Sequence, residues 1–165
     1  MTYLPDSTNL DDWFPRNGVE GDMARLGVVV GGSLSKGLVV KLDRDQPVEE
    51  LAVGRYVVVR VPDEDNPEVT KMRFFCMLTD IVLNNTNQAI QSHPPELIND
   101  PFLKDIYIGT AAYGTINVTP MLSIDEDQPK PVKTIPGHFM PVYNATVEDV
   151  NAVFGSEDEQ HFYVG

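Results

Sequence analysis

"RLGVVVGGSLSKGLVVKLD", residues 25–43, is the stretch whose reading decides the fold. Its centre, "GGSLSKG" (31–37), looks at first like a phosphate loop, with Gly31 five residues before Lys36 and hydroxyls at Ser33 and Ser35. A phosphate loop needs a glycine directly before its lysine and a Ser or Thr directly after it, because backbone amides cradle the phosphates and the hydroxyl holds the magnesium. Here Ser35 precedes Lys36 and Gly37 follows it. The loop also works where a strand passes into a helix whose N-terminus faces the anion, whereas "GLVVKLD" after the turn is rich in β-branched residues. Residues 25–43 therefore read as two strands joined by a glycine-rich turn.

The same pattern continues outward. "VGRYVVVRV" (53–61) alternates, with Val57, Val59 and Val61 on one face and Tyr56, Val58 and Arg60 on the other, the latter face assigned to solvent or an interface. "KMRFFCMLTDIVL" (71–83) is longer than a typical strand and is expected to bend around a barrel through a bulge. After an excursion with one short helix expected beyond Pro94 and Pro95, "IYIGTAAYGTINV" (106–118) and "TPMLSID" (119–125) read as two further strands. Closely spaced strands with Gly and Pro punctuation and almost no helical period give an all-β class: a small closed β-barrel of about six strands. The proline-rich run from Pro129 to Tyr143 must travel extended. Thr146 then reads as the N-cap of a short helix, with Asp149 as capping-box partner, Val147, Val150 and Phe154 on one side, and Gly155 as its stop. Residues 1–23 read as an extended N-terminal arm, 24–143 as the barrel and 144–165 as helix and linker.

Twelve Lys and Arg against 25 Asp and Glu leave a formal charge of −13. That balance repels phosphate backbones, so no direct nucleic-acid binding is expected. The acid gathers in "DEDNPE" (63–68), "DEDQ" (125–128) and "SEDEQ" (156–160), which read as solvated loops; none has the glycine and closing Glu of a calcium loop. The lone Cys76 lies in an apolar run and reads as a buried strand residue. His93, His138 and His161 are scattered, and none stands at metal-ligand spacing to another or to Cys76. For His138, in "IPGHFMP", an orienting hydrogen bond is the commoner role and contact with a partner the alternative. No G-x-S-x-G elbow is present, so no catalytic residue, metal ligand or cofactor-binding residue is assigned. The N-terminus shows neither the basic nor the apolar region of a signal peptide, and the longest apolar run, Phe74 to Leu83, is about half of what a bilayer helix needs. A cytoplasmic protein without membrane contact is the expectation.

The order of these segments, above all "PVKTIPGHFMPVYNATVEDVNAVFG" followed by "HFYVG", resembles the N-terminal region of HerA-type ATPases. That region is the HAS barrel, similar to the barrel at the N-terminus of F-type ATP synthase α and β subunits. The resemblance covers about residues 25–165 and is carried most by Pro131 to Pro141 and the helix after it; residues 1–23 and much of 84–104 lie outside it. It implies a non-catalytic assembly and partner-docking barrel of a hexameric DNA translocase of the helicase type, with self-association and a NurA-type nuclease as partners. The phosphate loop, acidic magnesium ligand and arginine finger of that family belong to a motor domain expected after this chain, so ATP and magnesium are expected there. The contact residues it implies are Lys133, Thr134, Ile135, Pro136, His138 and Phe139. Two other readings stand beside it. One is an autonomous oligonucleotide-binding-like barrel using Arg55, Tyr56, Arg60, Lys71, Arg73, Phe74 and Phe75; the other is an enzyme of unassigned chemistry.

Overall fold

Strands β1 (Arg25–Ser33) and β2 (Gly37–Leu42) form the hairpin read from residues 25–43, paired antiparallel from Gly27 opposite Leu42 to Ser33 opposite Gly37. This is a computed structural model, and it describes residues 25–86, 88–92, 101–107 and 112–155. The arm at 1–23, His93, His161 and the acidic run 156–160 lie outside these residues. Leu34 to Lys36 make the hairpin turn, and Gly37 leaves it at φ +86°, a left-handed value that glycine takes without a steric penalty. The Ser33 hydroxyl accepts the Lys36 amide at 3.1 Å, closing the turn on itself.

From this hairpin the sheet closes. β1 pairs with β7 (Pro141–Asn144), β7 with β3 (Tyr56–Pro62), β3 with β4 (Thr70–Asn85), β4 with β5 (Ala112–Asp125), and β5 returns to β2. All pairings are antiparallel, and the ring has six strands. β6 (Gln128–Pro131) hangs outside the ring on β5. The strand count matches the sequence reading, but its membership differs. "IYIGTAAYGTINV" and "TPMLSID" are not two strands: Ala112–Asp125 is one, while Ile106 and Tyr107 end helix α2 (Pro101–Tyr107). The sixth member is Pro141–Asn144, from the proline-rich run. A second short helix, α1 (Gln88–Ser92), precedes α2, and the segment directly after Pro95 lies outside the described residues.

Pro120 does not break β5 because the ladder bulges around it. Leu122 faces Phe75 and Pro120 faces Cys76, leaving Met121 as an extra residue; farther along, Thr79 is the extra residue on β4. A proline, which has no N–H to give, fits where pairing is already interrupted, and the two bulges let the long strands curve around the ring.

Alternation sorts the side chains. Leu26, Val29, Leu38, Val40, Val57, Val59, Phe74, Cys76, Leu78, Ile116, Val118 and Val142 fill the barrel, each fully buried apolar side chain contributing about 1.5–3 kcal/mol. The outer face of β3 departs from the expectation of solvent or an interface. Val58 is fully buried there with Phe75, Ile124 and Ala145 under helix α3 (Val147–Phe154), which lays Val150, Ala152 and Val153 on them. α3 has the expected capping box between Thr146 and Asp149 and stops at Gly155, φ +83°. Its apolar stripe is rotated from the one read in the sequence: Val147 is half exposed, while the Phe154 ring reaches Tyr56 and Phe75, at centroid distances of 5.7 and 6.0 Å. Among the described residues, no helix is long and apolar enough to cross a membrane.

Candidate functional site

Residues 132–140 connect β6 to β7, and the way they are pinned determines what they display. Val132, Ile135 and Met140 pack against the barrel core, and Pro136 is buried. The Phe139 amide donates to the Val29 carbonyl at 2.6 Å, and the Val29 amide donates to the Met140 carbonyl at 3.0 Å, so the β1 ladder continues past the end of β7. Fixed on both sides, the chain carries Phe139 through φ +64° and leaves its ring 71% exposed. The left-handed region costs a residue with a Cβ about 1–2 kcal/mol, and an exposed ring returns little of that by burial. Strain held at an exposed aromatic points to a site of use.

The six contact residues read from the resemblance therefore divide. Lys133, Thr134, His138 and Phe139 are exposed, with the His138 and Phe139 rings 6.0 Å apart; Ile135 packs against the barrel core and Pro136 is buried. Strand directions place this segment at the same end of the ring as the β1–β2 turn and the 63–69 turn. That rim presents three apolar side chains, Leu34, Val69 and Phe139, each at least 47% exposed. The acidic turn folds on itself, the Asp63 carboxylate accepting the amides of Asp65 at 2.8 Å and Asn66 at 3.4 Å. Such a rim suits docking of a protein surface: apolar anchors held by a rigid barrel, with charges of both signs around them.

A second constellation lies on the outer wall. Asp149, fully buried, accepts from the Thr146 amide at 3.0 Å and the Thr146 hydroxyl at 2.9 Å, from Arg73 at 2.6 Å and from Arg60 at 3.5 Å. The sequence shows Asp149 as a cap alone, because partners 76 and 89 residues away leave no local signal. Arg60, assigned to the exposed face of β3, keeps only 21% of its side chain in solvent and lies over the Tyr143 ring at 5.5 Å. "DEDQ" is the β5–β6 turn, and Asp127 pairs with Arg73.

At the opposite end, a cleft of about 610 Å³ lies between the 42–49 segment and the ends of β4 and β5. There the Lys41 ammonium sits 4.7 Å from the Tyr113 ring centre. Cys76 is fully buried, and burial pushes its thiol up to about 12, which suits a core residue and not a nucleophile. Phe74 and Phe75 are buried and Tyr56 packs on Phe75 at 4.9 Å, so these aromatics serve the two cores and offer bases no stacking face. No protein-family model matches the chain, and the comparison with curated proteins gave no match.

Proposed function

We propose that this chain is a non-catalytic assembly and partner-docking barrel of the kind that precedes the motor in HerA-like hexameric ATPases. The observation that carries the reading is the 132–140 segment, which packs Ile135 and Met140 against the barrel core and holds Phe139 outward at a strained φ. A barrel built only to fold has no use for that arrangement. In this reading Lys133, Thr134, His138 and Phe139 meet a neighbouring barrel or a NurA-type nuclease, and ATP hydrolysis and DNA translocation belong to a motor domain joined after α3. The two aromatic layers of β3 and β4 weigh against the oligonucleotide-binding alternative, since a stacking platform must face solvent.

Assembly tests the proposal. Each copy carries a formal charge of −13. At ~0.1 M salt the screening length is about 10 Å and falls to ~3 Å at about 1 M, so isolated chains should associate more as salt rises. Light scattering across a salt series, on this chain alone and joined to its motor, should show weak association for the first and a ring for the second, lost in Phe139→Asp. A tight ring of the isolated chain that dissociates with rising salt, or a motor-joined ring indifferent to Phe139→Asp, contradicts it. Single-stranded DNA binding that weakens with salt would favour the alternative.

A further inference from the structure

Arg60 and Arg73 stand directly opposite each other on β3 and β4, on the outer face of the ring. Like charges in that relation repel, and their surroundings neutralise them unequally. Arg73 has a carboxylate on each terminal nitrogen, Asp149 on one and Asp127 on the other. Arg60 has one carboxylate, Asp149 at 3.5 Å, besides the Tyr143 ring, and its Nε is buried without a hydrogen-bond partner among the described residues. A guanidinium carries five N–H donors, and a buried one left unpaired is costly. Lys71, the extra residue where the β3–β4 ladder bulges between Met72 and Thr70, is exposed and forms no ion pair among the described residues.

These three cations line one cleft of about 260 Å³, with Thr70, Met72 and Ile124 as walls and Glu126 and Asp127 across from them. The carboxylates come from a two-residue hairpin turn in which Glu126 and Asp127 both have left-handed φ, +48° and +58°. Such turns prefer Asn-Gly, and a glutamate there is strained. The Asp127 side chain is 88% exposed, so water and other anions compete for its bond to Arg73.

The geometry points to a phosphate-binding site in this cleft. A phosphate group takes Arg60, Lys71 and Arg73, with the Thr70 hydroxyl beside them, and displaces the carboxylate of Asp127, which stands in the free protein where the ligand's oxyanion goes. Charge selects the class: once the Glu126–Asp127 turn moves aside, three cations face Asp149 alone, an excess of two positive charges that a phosphate dianion neutralises. Planar guanidinium donors suit phosphate oxygens in pairs. This site is on the wall of the barrel beside α3, at the rim's end of the ring, where Thr70 follows the rim residue Val69, and it uses none of the rim's three apolar anchors.

Calorimetry on the full chain in chloride buffer, with inorganic phosphate and with glycerol phosphate as probes, tests the site. Saturable binding is expected. Lys71→Ala and Arg60→Gln should each weaken it about tenfold, the effect of one charge-assisted hydrogen bond, and Asp127→Asn should tighten it by removing the competing carboxylate. Arg60 also touches Asp149, so if Arg60→Gln loosens α3 the test rests on Lys71→Ala and Asp127→Asn, whose side chains make no hydrogen bond or ion pair to the helix among the described residues. Tighter binding of the ester identifies a phosphate monoester as ligand, and the reverse identifies free phosphate. No saturable binding by the wild type and by Asp127→Asn overturns the site. So does an affinity unmoved by Lys71→Ala, or lowered by Asp127→Asn.

Discussion

Arg73 on β4 and Asp149 on α3 meet at 2.6 Å, and through that contact the C-terminal helix is fixed to the barrel wall. Asp149 also completes the helix cap, so one carboxylate serves the start of α3 and its attachment. Asp149→Ala leaves two arginines facing an apolar methyl and takes the acceptor from the Thr146 amide and hydroxyl, while the Thr146 hydroxyl still accepts the backbone amide of residue 149. Breaking a buried pair costs about 3–5 kcal/mol, and the lost half of the capping box adds up to ~1 kcal/mol. Part of Arg73 stays paired with Asp127, so the lower end, about 3 kcal/mol, is expected from urea unfolding. Asp149→Asn keeps an acceptor for the cap and should lose less. A change under about 1 kcal/mol for Asp149→Ala would show that α3 is held by its apolar stripe alone.

Cys76 gives the fold an alkaline limit. Burial raises its thiol from 9.0 to about 12, so the folded state holds the proton more tightly than the unfolded chain does. For a group with a raised folded value, the stabilisation is fully present below the unfolded value and is lost as pH rises towards the folded one. Stability should therefore fall between about pH 9 and about pH 12, and less steeply in Cys76→Ala once that variant's own cavity cost is subtracted. Urea midpoints of the two proteins across that range measure the difference. Equal slopes would mean that the thiol does not feel the core. At neutral pH the native thiol should resist alkylation that the unfolded chain accepts.

Two glycines separate close approach from backbone freedom. At Gly27, which pairs with Leu42 across the β1–β2 hairpin, an added Cβ would run into the Lys41 carbonyl and lie 2.9 Å from the Leu42 Cα. At Gly54 a Cβ would meet nothing within 4 Å, but φ is +93°. Gly27→Ala must push two strands apart, an overpacking cost of about 3 kcal/mol, whereas Gly54→Ala bears only conformational strain of ~1 kcal/mol. Thermal melts should rank them in that order. The reverse ranking would place the tightest constraint of the barrel in its 51–55 turn and not in the hairpin.

The elements legible in the sequence are those whose signals are local. The 25–43 hairpin shows in its β-branched runs and glycines, the inward set Val57, Val59 and Val61 in strict alternation, and α3 in Thr146 and Gly155. What misled has physical reasons. Pro120 looks like a strand end because a proline cannot join a ladder, but at a bulge no bond is asked of it. Pro141–Asn144 looks like a linker because prolines surround it, although a four-residue strand lying between two others needs no longer apolar run. Ile106 and Tyr107 suit strands by propensity, yet they close a helix that starts at Pro101. The surface half of the candidate rim was readable as residues but not as exposure, since nothing in "IPGHFMP" separates the buried Pro136 from the exposed Phe139. The arginine cleft was invisible for the same reason as the clasp on Asp149: its parts come from three distant strands and a turn.

Phe139 is where stability and use should part. Its ring is 71% exposed, so truncation sacrifices little buried area, while its φ of +64° is a standing cost of about 1–2 kcal/mol for a residue with a Cβ. Asparagine tolerates that conformation through its short polar side chain. Glycine tolerates it too, but hands the unfolded chain extra entropy worth about 0.5–1 kcal/mol, cancelling much of the gain. Phe139→Asn should therefore stabilise the barrel by ~1 kcal/mol, which for a domain of this size raises the melting temperature by about 2–4 °C. Phe139→Gly should gain less, and Phe139→Ala should be near neutral. If the residue is kept for docking, the same Phe139→Asn variant should lose association with its partner barrel or nuclease while melting higher than the wild type. Light scattering and melts on one preparation read both. A variant that melts several degrees lower would mean that the ring supports the 132–140 segment structurally, and the strain at Phe139 would then need no partner to explain it.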